Sequence, residues 1–330
     1  MSFVCEIESK RKGRREMNKV TIIGTGSVGS TIAYTLAVNG GASEIVMIDL
    51  NEEKALGEAL DIRQGMPFCS PVSIYAGSYR DAEDSNIVII TSGVPRKPGQ
   101  SRLDLAQTNV NITKSIIPQI TKYAPDATYI IVSNPVDILT YVFHKVSGLP
   151  ENKIIGSGTI LDTSRLRSRL SEYYSVNQQN VHAYVFGEHG DSSFVPWSLA
   201  NISGIPIDEY RDSISNRKGL YPPLNHEEIE QYIRKSGGRV IERKGATFYA
   251  VSISVCQICK YLASGLDTNI TVSGMMHGEY GIEDVCLSTL NVIGHNGLVG
   301  KILTPLADNE MALLKKSADC LKEIISALDI

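Results

Sequence analysis

A histidine lies between two glycine-containing turns near the middle of the chain, in the segment "VFGEHGDSS". His189 follows an apolar run there, and a histidine can give or take a proton near neutral pH. A buried carboxylate beside such a histidine fixes its tautomer and raises its pKa. Taken alone, a histidine in this setting is more often a satisfied structural residue. A chemical role for His189 therefore requires partners elsewhere in the sequence.

Two candidate partners lie in the segment "LDTSRLRSRL". Asp162 and Arg165 are three positions apart, so they share one face if the segment is helical. Asp162 is then a candidate for the carboxylate that pairs with His189, and Arg165 is left to bind a substrate carboxylate through two parallel hydrogen bonds. Arg167 comes two positions later, about 200° around a helix, and must point elsewhere. A capped helix start with an internal ion pair is the simpler interpretation of the same segment.

A third cluster of polar residues is the segment "GVPRKPGQSR", which ends at Arg102 and has two prolines, two glycines and three cations. Proline and glycine at this density predict a loop, and the cations predict that an anion binds to it. Arg96 and Arg102 are the candidate ligands of this anion, whereas we expect Lys97 to remain solvated.

A glycine motif, "GTGSVG", lies between the first predicted strand and the first predicted helix. Glycines at Gly24, Gly26 and Gly29 permit a tight turn, close approach of a pyrophosphate and close helix packing, while the helix N-terminus faces the anion. Asp49 ends the next predicted strand about 20 residues later, where a carboxylate binds ribose hydroxyls and repels a 2′-phosphate. The motif therefore favours NAD over NADP. The alternative is a structural glycine turn with a capping aspartate.

These residues are embedded in two different patterns of secondary structure. In the first half, short β-branched runs alternate with helical patterns. The predicted strands are 19–24, 44–50, 72–77, 86–94, 127–135 and 153–158, and the predicted helices are 27–40, 52–62 and 103–124. We expect the last helix to be bent or broken before Pro118. Strands buried on both faces that alternate with helices indicate a Rossmann-type, doubly wound parallel sheet.

After about residue 156 the pattern becomes mixed. The predicted elements are helices at 162–175, 226–236, 240–264 and 308–328, and hairpin-like strands between 267 and 300. We therefore predict an α/β protein in three parts, an N-terminal arm at 1–17, a dinucleotide-binding domain at 18–156 and a mixed α+β catalytic domain at 157–330.

Composition excludes several classes of protein. The chain has 330 residues, 42% of them hydrophobic, and a formal net charge of −4, so a generally basic nucleic-acid-binding surface is excluded. No apolar run approaches the roughly 20 residues that span a bilayer, and the basic N-terminus lacks the apolar region of a secretory signal. Cys256 and Cys259 form a CxxC that apolar helix spacing explains better than a metal site. We expect a cytoplasmic protein with reduced thiols and no metal, nucleic-acid or membrane partner.

Several motifs, taken together and in order, resemble those of the NAD-dependent lactate/malate dehydrogenase family, and within it the bacterial L-lactate dehydrogenases. They are "GTGSVG", "GVPRKPGQSRLDL", "VSNPVDILTY", "LDTSRLR", "VHAYVFGEHGDS" and "KGATFYAVS". The resemblance extends from about residue 18 to 328. It implies that the enzyme uses NAD as its cofactor and interconverts pyruvate and L-lactate by hydride transfer.

The resemblance also implies roles for individual residues. His189 would protonate the ketone oxygen as hydride arrives, Asp162 would be its partner, and Arg165 would hold the substrate carboxylate. Arg102 would polarise the carbonyl when the loop closes as a lid. The other implied substrate positions are Arg96, Asn134 and Thr247. The implied cofactor positions are Gly24, Gly26, Ser27, Val28, Gly29, Asp49, Thr91, Gly93, Val132 and Asn134.

Arg96 is the residue that conflicts with this assignment. The L-lactate enzymes commonly have glutamine at this lid position, whereas the malate enzymes have an arginine that pairs with the second carboxylate of oxaloacetate. Malate dehydrogenase is therefore the alternative. Other residues are typical of the lactate enzymes, notably Glu188 before the histidine and the "ATFYA" around Thr247, and we favour pyruvate and L-lactate as the substrates.

Two further residues suggest regulation. Arg167 and His182 match positions that bind fructose 1,6-bisphosphate between subunits in allosteric bacterial members of the family. The resemblance thus implies this sugar bisphosphate as an effector and a homotetramer as the assembly, although the sequence leaves a dimer open. A remote alternative of a different class is a non-catalytic NAD-binding protein. Such a protein could lose any of the four implied catalytic residues, and all four are present here.

Overall fold

The computed structural model describes residues 19–95, 99, 101–215 and 221–330. The N-terminal arm expected at 1–17 and the lid residue Arg96 therefore lie outside the described residues. Within the described part of the chain, no helix is long and apolar enough to cross a membrane.

Twelve strands are found in the described ranges, nine of them in one large sheet. The strands are β1 (Lys19–Ile23), β2 (Glu44–Ile48), β3 (Ser73–Ala76), β4 (Ile87–Ile90), β5 (Thr128–Ile131), β6 (Ile154–Gly156), β7 (Val181–His182), β8 (Asn201–Ile202), β9 (Ile205–Pro206), β10 (Thr268–His277), β11 (Glu283–Gly294) and β12 (Gly297–Lys301). Six of these strands are parallel, in the order β3-β2-β1-β4-β5-β6. This is the order of dinucleotide-binding domains, so the prediction of a Rossmann-type doubly wound sheet is confirmed.

Nine helices lie in the described residues and cover the sheet on both faces. They are α1 (Ser27–Val38), α2 (Glu52–Gly65), α3 (Arg102–Tyr123), α4 (Val136–Val146), α5 (Ile160–Tyr174), α6 (Ile207–Ser213), α7 (His226–Lys244), α8 (Tyr249–Ala263) and α9 (Asp308–Ser326). In β4, Ile87 and Ile89 belong to one core cluster, and Val88 and Ile90 belong to the other. The alternation follows from the two-residue period of a strand, and it explains why the parallel strands are apolar throughout.

The second half of the chain extends the same sheet. β10 pairs with β6 in antiparallel fashion at Ser273 and Gly156, and β11 and β12 follow outward. A separate three-stranded sheet, β7-β8-β9, packs with α5, α6 and α7 around a third apolar core. The mixed α+β composition expected after residue 156 is therefore present, but its largest strands continue the first sheet.

Two predicted helix breaks are not found in the structure, while a bend at Pro118 stays a prediction. α3 is not broken at Pro118, because Ile116, Ile117 and Ile120 on either side of the proline are buried in the core. α7 continues through the glycines at 237 and 238, where a break was expected, since glycine costs a helix only about 1 kcal/mol per residue. The real break is at Gly245, whose φ of +83° ends α7.

The topology gathers the predicted site residues at one edge of the sheet. After β1 the chain continues to β2 on one side, and after β4 it continues to β5 on the other side. These opposite connections open a crevice between β1 and β4, which is where ligands bind in doubly wound folds. The segment that carries His189 is closed on itself by an antiparallel bridge between Phe186 and Phe194, and a second bridge, between Gly187 and Ser288 of β11, attaches it to the large sheet. The extension of the sheet by β10 to β12 thus places the histidine beside the dinucleotide crevice.

Candidate active site

A cleft of about 660 Å³ runs from the glycine turn after β1 to His189. At its outer end, Gly24 has a φ of +99°, and Gly26 precedes the first residue of α1 without any side-chain cap. The first N–H groups of α1 are therefore available to an anion. A methyl group on Gly29 would lie 1.9 Å from the carbonyl oxygen of Gly24, whereas the space beside Gly26 is open. The turn is thus close-packed behind and open in front, as a pyrophosphate requires.

Asp49 lies beside this turn, at the end of β2. Its Oδ2 accepts a hydrogen bond from the backbone N of Thr25 at 2.6 Å, and its Oδ1 accepts one from the backbone N of Asn51 at 3.0 Å. Burial opposes ionisation, but these hydrogen bonds hold the pKa of Asp49 below its usual range. An ionised carboxylate at this place fits the ribose hydroxyls of NAD and disfavours a 2′-phosphate.

Of the other predicted cofactor positions, all except Gly24 line the cleft. The lining contains Gly26, Ser27, Val28, Gly29, Thr91, Gly93, Val132 and Asn134. Thr91 also donates from Oγ1 to the carbonyl oxygen of Gly24 at 2.8 Å, so it braces the turn. Gly24 itself lies behind the lining.

His189 and Asp162 form a close pair at the inner end of the cleft. Nδ1 of His189 lies 2.5 Å from Oδ2 of Asp162, which is only 6% exposed. The charge of Asp162 raises the pKa of His189 to about 9, although burial opposes this shift. Burial alone would raise the pKa of Asp162, but the charges of His189 and Arg165 hold it below its usual range. The pair is therefore an imidazolium and a carboxylate at neutral pH.

Arg165 completes the polar cluster. It shares a face of α5 with Asp162, and its Nη1 donates to Oδ1 of Asp162 at 2.9 Å. α7 passes close to the guanidinium at Gly237, where an added methyl group would lie 3.6 Å from Nη2 of Arg165. Arg165 lines the cleft together with His189, and a carboxylate there can meet both cations.

Asn134 and Thr247 line the same part of the cleft. The backbone oxygen of Asn134 accepts from Nδ2 of Asn109 at 2.7 Å, and the Oδ1 of Asn109 accepts from the backbone N of Val94 at 2.9 Å. Asn109, which is buried, therefore joins the start of the predicted lid to the loop that carries Asn134. Thr247 lies in the short connection between α7 and α8, just after the helix break at Gly245.

The predicted lid residue Arg102 begins α3 and points to the mouth of the cleft. It forms an ion pair with Asp191, two residues after His189, and both side chains are largely exposed. Exposed ion pairs of this kind contribute about 0–1 kcal/mol to the free energy of unfolding. Arg102 can therefore exchange Asp191 for another partner at little cost. The structure thus places Arg102 near the cleft and outside its lining.

The two predicted effector residues lie away from the cleft. Arg167 points away from the face of α5 that carries Arg165, and its Nε donates to the carbonyl oxygen of Ala183 at 3.0 Å. Its guanidinium lies 5.2 Å from the ring centre of Tyr184. His182 is the residue before Ala183 and is exposed on β7, so Arg167 binds the backbone next to His182.

Sequence reasoning missed several polar residues of the site. Asp137 accepts a hydrogen bond from the backbone N of His189. Asp191 pairs with Arg102. Arg234 of α7 lines the cleft and donates to the carbonyl oxygen of Ser193. The signal for Asp137 is present in the motif "VSNPVDILTY", where it is the one charged residue. Arg234 also pairs with Glu230 four residues earlier on α7, but nothing in the local sequence indicates that Asp191 meets Arg102 or that Arg234 reaches Ser193, because these partners are distant in the chain.

The cysteine pair lies on α8, as its apolar spacing predicted. Burial raises the pKa of Cys256 to about 12 and raises that of Cys259 well above its usual range. Metal binding and thiol chemistry both need the thiolate, which these surroundings disfavour.

A dinucleotide crevice that ends beside a buried histidine–carboxylate pair and an arginine is the arrangement expected of an NAD-dependent dehydrogenase of 2-hydroxy acids. Family models match both halves of the chain, residues 18–156 as the lactate/malate dehydrogenase NAD binding domain and residues 159–328 as the alpha/beta C-terminal domain of the same family. The chain belongs to the lactate/malate dehydrogenase family. It is an NAD-dependent oxidoreductase.

Individual relatives agree with this assignment. The chain is 48% identical to an L-lactate dehydrogenase of Acetivibrio thermocellus over 95% of its own length and 98% of that protein. It is 44% identical to L-lactate dehydrogenase 1 of Clostridium acetobutylicum over 95% of its length and 99% of that protein. The solved structure of a minor L-lactate dehydrogenase from Enterococcus mundtii matches with a TM-score of 0.90 and 37% identity, covering 96% of this chain and 100% of that one.

The glycine turn allows a test that separates packing from cofactor binding. Gly29→Ala should lower the free energy of unfolding by about 1–3 kcal/mol, because the added methyl group overlaps the backbone of Gly24. Gly26→Ala should leave stability nearly unchanged and weaken NADH binding roughly tenfold or more, because its methyl group enters the space for the pyrophosphate. Urea unfolding and NADH fluorescence titration measure the two effects. Equal losses of NADH affinity and stability in both variants would contradict this division.

Proposed function

We propose that the enzyme interconverts pyruvate and L-lactate, with His189 as the general acid and base. The observation that carries the proposal is the buried pair of His189 and Asp162 at the inner end of the NAD cleft, next to Arg165. The relatives that are L-lactate dehydrogenases, at 44–48% identity over 95% of the chain, support the choice of substrate.

NADH, when bound, supplies the hydride that reduces the ketone carbon of the substrate. The protein supplies the proton. Because Nδ1 of His189 is held by Asp162, Nε2 is the ring nitrogen available to the substrate oxygen. The imidazolium donates its Nε2 proton to the ketone oxygen as negative charge develops there, and Asp162 keeps the ring oriented in both protonation states. In lactate oxidation the neutral imidazole accepts the same proton.

Two arginines would fix the substrate on either side of this proton transfer. Arg165 binds the C1 carboxylate with two hydrogen bonds, a geometry that its planar guanidinium favours. Arg102 exchanges its exposed partner Asp191 for the substrate carbonyl oxygen when the lid closes, and its charge stabilises the developing oxyanion. Asn134 donates to the same oxygen, and Asn109 keeps its loop in place. Closure of the lid excludes water from the reacting atoms.

The raised pKa of His189 predicts the pH dependence of the reaction. With NADH bound, kcat/KM for pyruvate should be flat below pH 9 and fall roughly tenfold per pH unit above it, because the acid form is lost there. For lactate oxidation the sign reverses, and kcat/KM should rise toward a plateau above pH 9. Steady-state assays from pH 6 to pH 10 in constant ionic strength check both profiles. A midpoint near 6.5, the ordinary value for histidine, would argue against a close pair with Asp162.

Malate dehydrogenase remains the second candidate, and Arg96 is the observation that favours it. An arginine in the lid can pair with the second carboxylate of oxaloacetate, whereas pyruvate has no group for it to bind. We propose that Arg96 turns toward solvent when pyruvate is bound. Its position lies outside the described residues, so the proposal rests on its place in the lid sequence.

Substrate comparison and one substitution decide between these candidates. We expect kcat/KM for pyruvate to exceed that for oxaloacetate in the wild-type enzyme. Arg96→Gln should raise the activation free energy with oxaloacetate by about 2–5 kcal/mol, the cost of losing a buried charge partner, and should leave pyruvate nearly unaffected. Lys97→Gln, at the neighbouring lid cation, is the matched control. A wild-type preference for oxaloacetate would show that malate is the natural product.

We also propose that fructose 1,6-bisphosphate activates the enzyme at Arg167 and His182. The support is the bond of Arg167 to the backbone next to His182, outside the cleft, together with the match of both positions to effector-binding positions in the family. Arg167 uses Nε for its bond to Ala183, so the two terminal nitrogens of its guanidinium are left to bind a phosphate.

The effector proposal has its own substitution test. Arg167→Gln should abolish the activation of pyruvate reduction by fructose 1,6-bisphosphate while the activity without effector stays within about twofold, since Arg167 lies outside the cleft. Arg169→Gln is the matched control, because Arg169 lies on the same helix but pairs with Glu172. Kinetics with and without the sugar bisphosphate provide the readout. Full activation of the Arg167 variant would refute the site.

Self-association into a homotetramer is supported by apolar side chains on the surface of one protomer. Tyr249 and Ile253 of α8 are 64% and 61% exposed, and Tyr34 of α1 is 55% exposed. α1 packs directly against α8, so these residues lie on neighbouring helices. An exposed apolar region of this kind marks a protein–protein interface. Sedimentation analysis distinguishes a tetramer from the dimer that the sequence leaves open.

A further inference from the structure

A second buried carboxylate contacts His189 through its main chain, whereas Asp162 contacts its ring. Asp137 is the second residue of α4, is 2% exposed, and accepts the backbone N–H of His189 through Oδ2 at 2.7 Å. Its other oxygen, Oδ1, accepts from Oγ of Ser273 on β10 at 2.5 Å. Asp137 therefore holds the main chain of His189, whereas Asp162 holds the ring.

The position of Asp137 joins three parts of the site. It follows Asn134 by three residues, so the loop that carries the proposed substrate ligand leads directly into the first turn of α4, which carries this carboxylate. Ser273 is the register partner of Gly156 in β6, at the junction of the parallel and antiparallel parts of the sheet. A methyl group on Gly156 would lie 2.8 Å from Cβ of Ser273, which shows how closely this junction is packed. Asp137 is thus fixed by strands and a helix rather than by mobile loops.

The surroundings of Asp137 act on its ionisation in both directions. Burial raises its pKa to about 6, while its bonds from Ser273 and His189 favour the ionised form. Its place in the first turn of α4 also favours a negative charge. The groups that act on it besides His189 are Glu188 in the same loop and the thiol of Cys286 on β11. The groups that act on His189 are Asp162, Asp137 and Arg165.

We propose that Asp137 is a positioning residue of the reaction, which anchors the backbone of His189 to the Asn134 loop and whose charge stabilises the imidazolium that protonates the substrate. The inference rests on the proposed acid–base role of His189. It assigns the two carboxylates different tasks. Asp162 contacts the imidazole ring of His189 and orients it. Asp137 fixes the position of the His189 backbone and contributes a negative charge without a hydrogen bond to the ring.

Asp137→Asn tests the charge separately from the anchor. The amide oxygen of asparagine can still accept from the His189 N–H, and Ser273 can rotate its hydroxyl to accept from the amide nitrogen. The midpoint of the pH profile should move down by about one pH unit, because a nearby negative charge is lost. It should move equally for pyruvate reduction and for lactate oxidation, since one proton governs both directions. The ratio of variant to wild-type kcat/KM should therefore fall about tenfold between pH 7 and pH 10.

A purely structural defect would not make the ratio of variant to wild-type kcat/KM depend on pH. A loosened site lowers kcat/KM by one factor at all pH values and leaves the midpoint in place. Glu310→Gln is the matched control, because Glu310 is also a buried carboxylate that accepts backbone and hydroxyl hydrogen bonds, but from Ser198 and Ala307. The midpoint of the pH profile of the Glu310→Gln variant should equal that of the wild-type enzyme.

Asp137→Glu keeps the test decisive if the asparagine variant folds poorly, as judged by NADH binding. It retains the charge and displaces the anchor, so the midpoint should stay at the wild-type pH while kcat falls. An unchanged midpoint in Asp137→Asn, or a lowered midpoint in Asp137→Glu, overturns the inference. An inactive wild-type enzyme with pyruvate at every pH would instead overturn the proposed function, on which the inference depends.

Discussion

The short contact between an imidazolium and a buried carboxylate, His189 and Asp162, sets the conditions that the surrounding structure must meet. Removing two charges from water costs several kcal/mol for each ion, and their mutual attraction offsets this cost only when the remaining polar atoms are also satisfied. Here Arg165 binds the second oxygen of Asp162, and Asp137 binds the backbone of His189. Two cations and two anions thus alternate in a buried cluster.

This balance of charge bears on which acid the cleft accepts. A monocarboxylate adds one negative charge, which Arg165 can share with Asp162 and which Arg102 can help to neutralise once it leaves Asp191. A dicarboxylate adds a second negative charge to a cleft whose lining already contains the carboxylates of Asp162 and Asp191. Of the described cations, Arg234 also lines the cleft and is paired with Glu230. A further cation that could compensate for a second carboxylate is the proposed lid residue Arg96, which is why its substitution separates the two candidate substrates.

Local patterns in the sequence predicted the parallel sheet, the glycine turn, and the helix face shared by Asp162 and Arg165, because each depends on spacing within a few residues. They did not predict that Asp137 would reach His189, because that contact joins positions far apart in the chain. The helix boundaries failed for a related reason. Pro118 is a strong breaking signal and the glycines of α7 are weak ones, and tertiary packing overrides both, whereas Gly245 adopts a conformation that stops the helix.

The single hydrogen-bonded sheet that runs from β3 to β12 has a mechanical consequence. Enzymes that close by bending at a hinge need two bodies joined by a few flexible residues, but here the nucleotide-binding strands and the strands beneath His189 are one continuous layer. Their relative distance is therefore nearly constant. Any opening and closing of the cleft would then come from segments attached to the rim of this layer. The spacing between the dinucleotide crevice and His189 is set by the sheet itself.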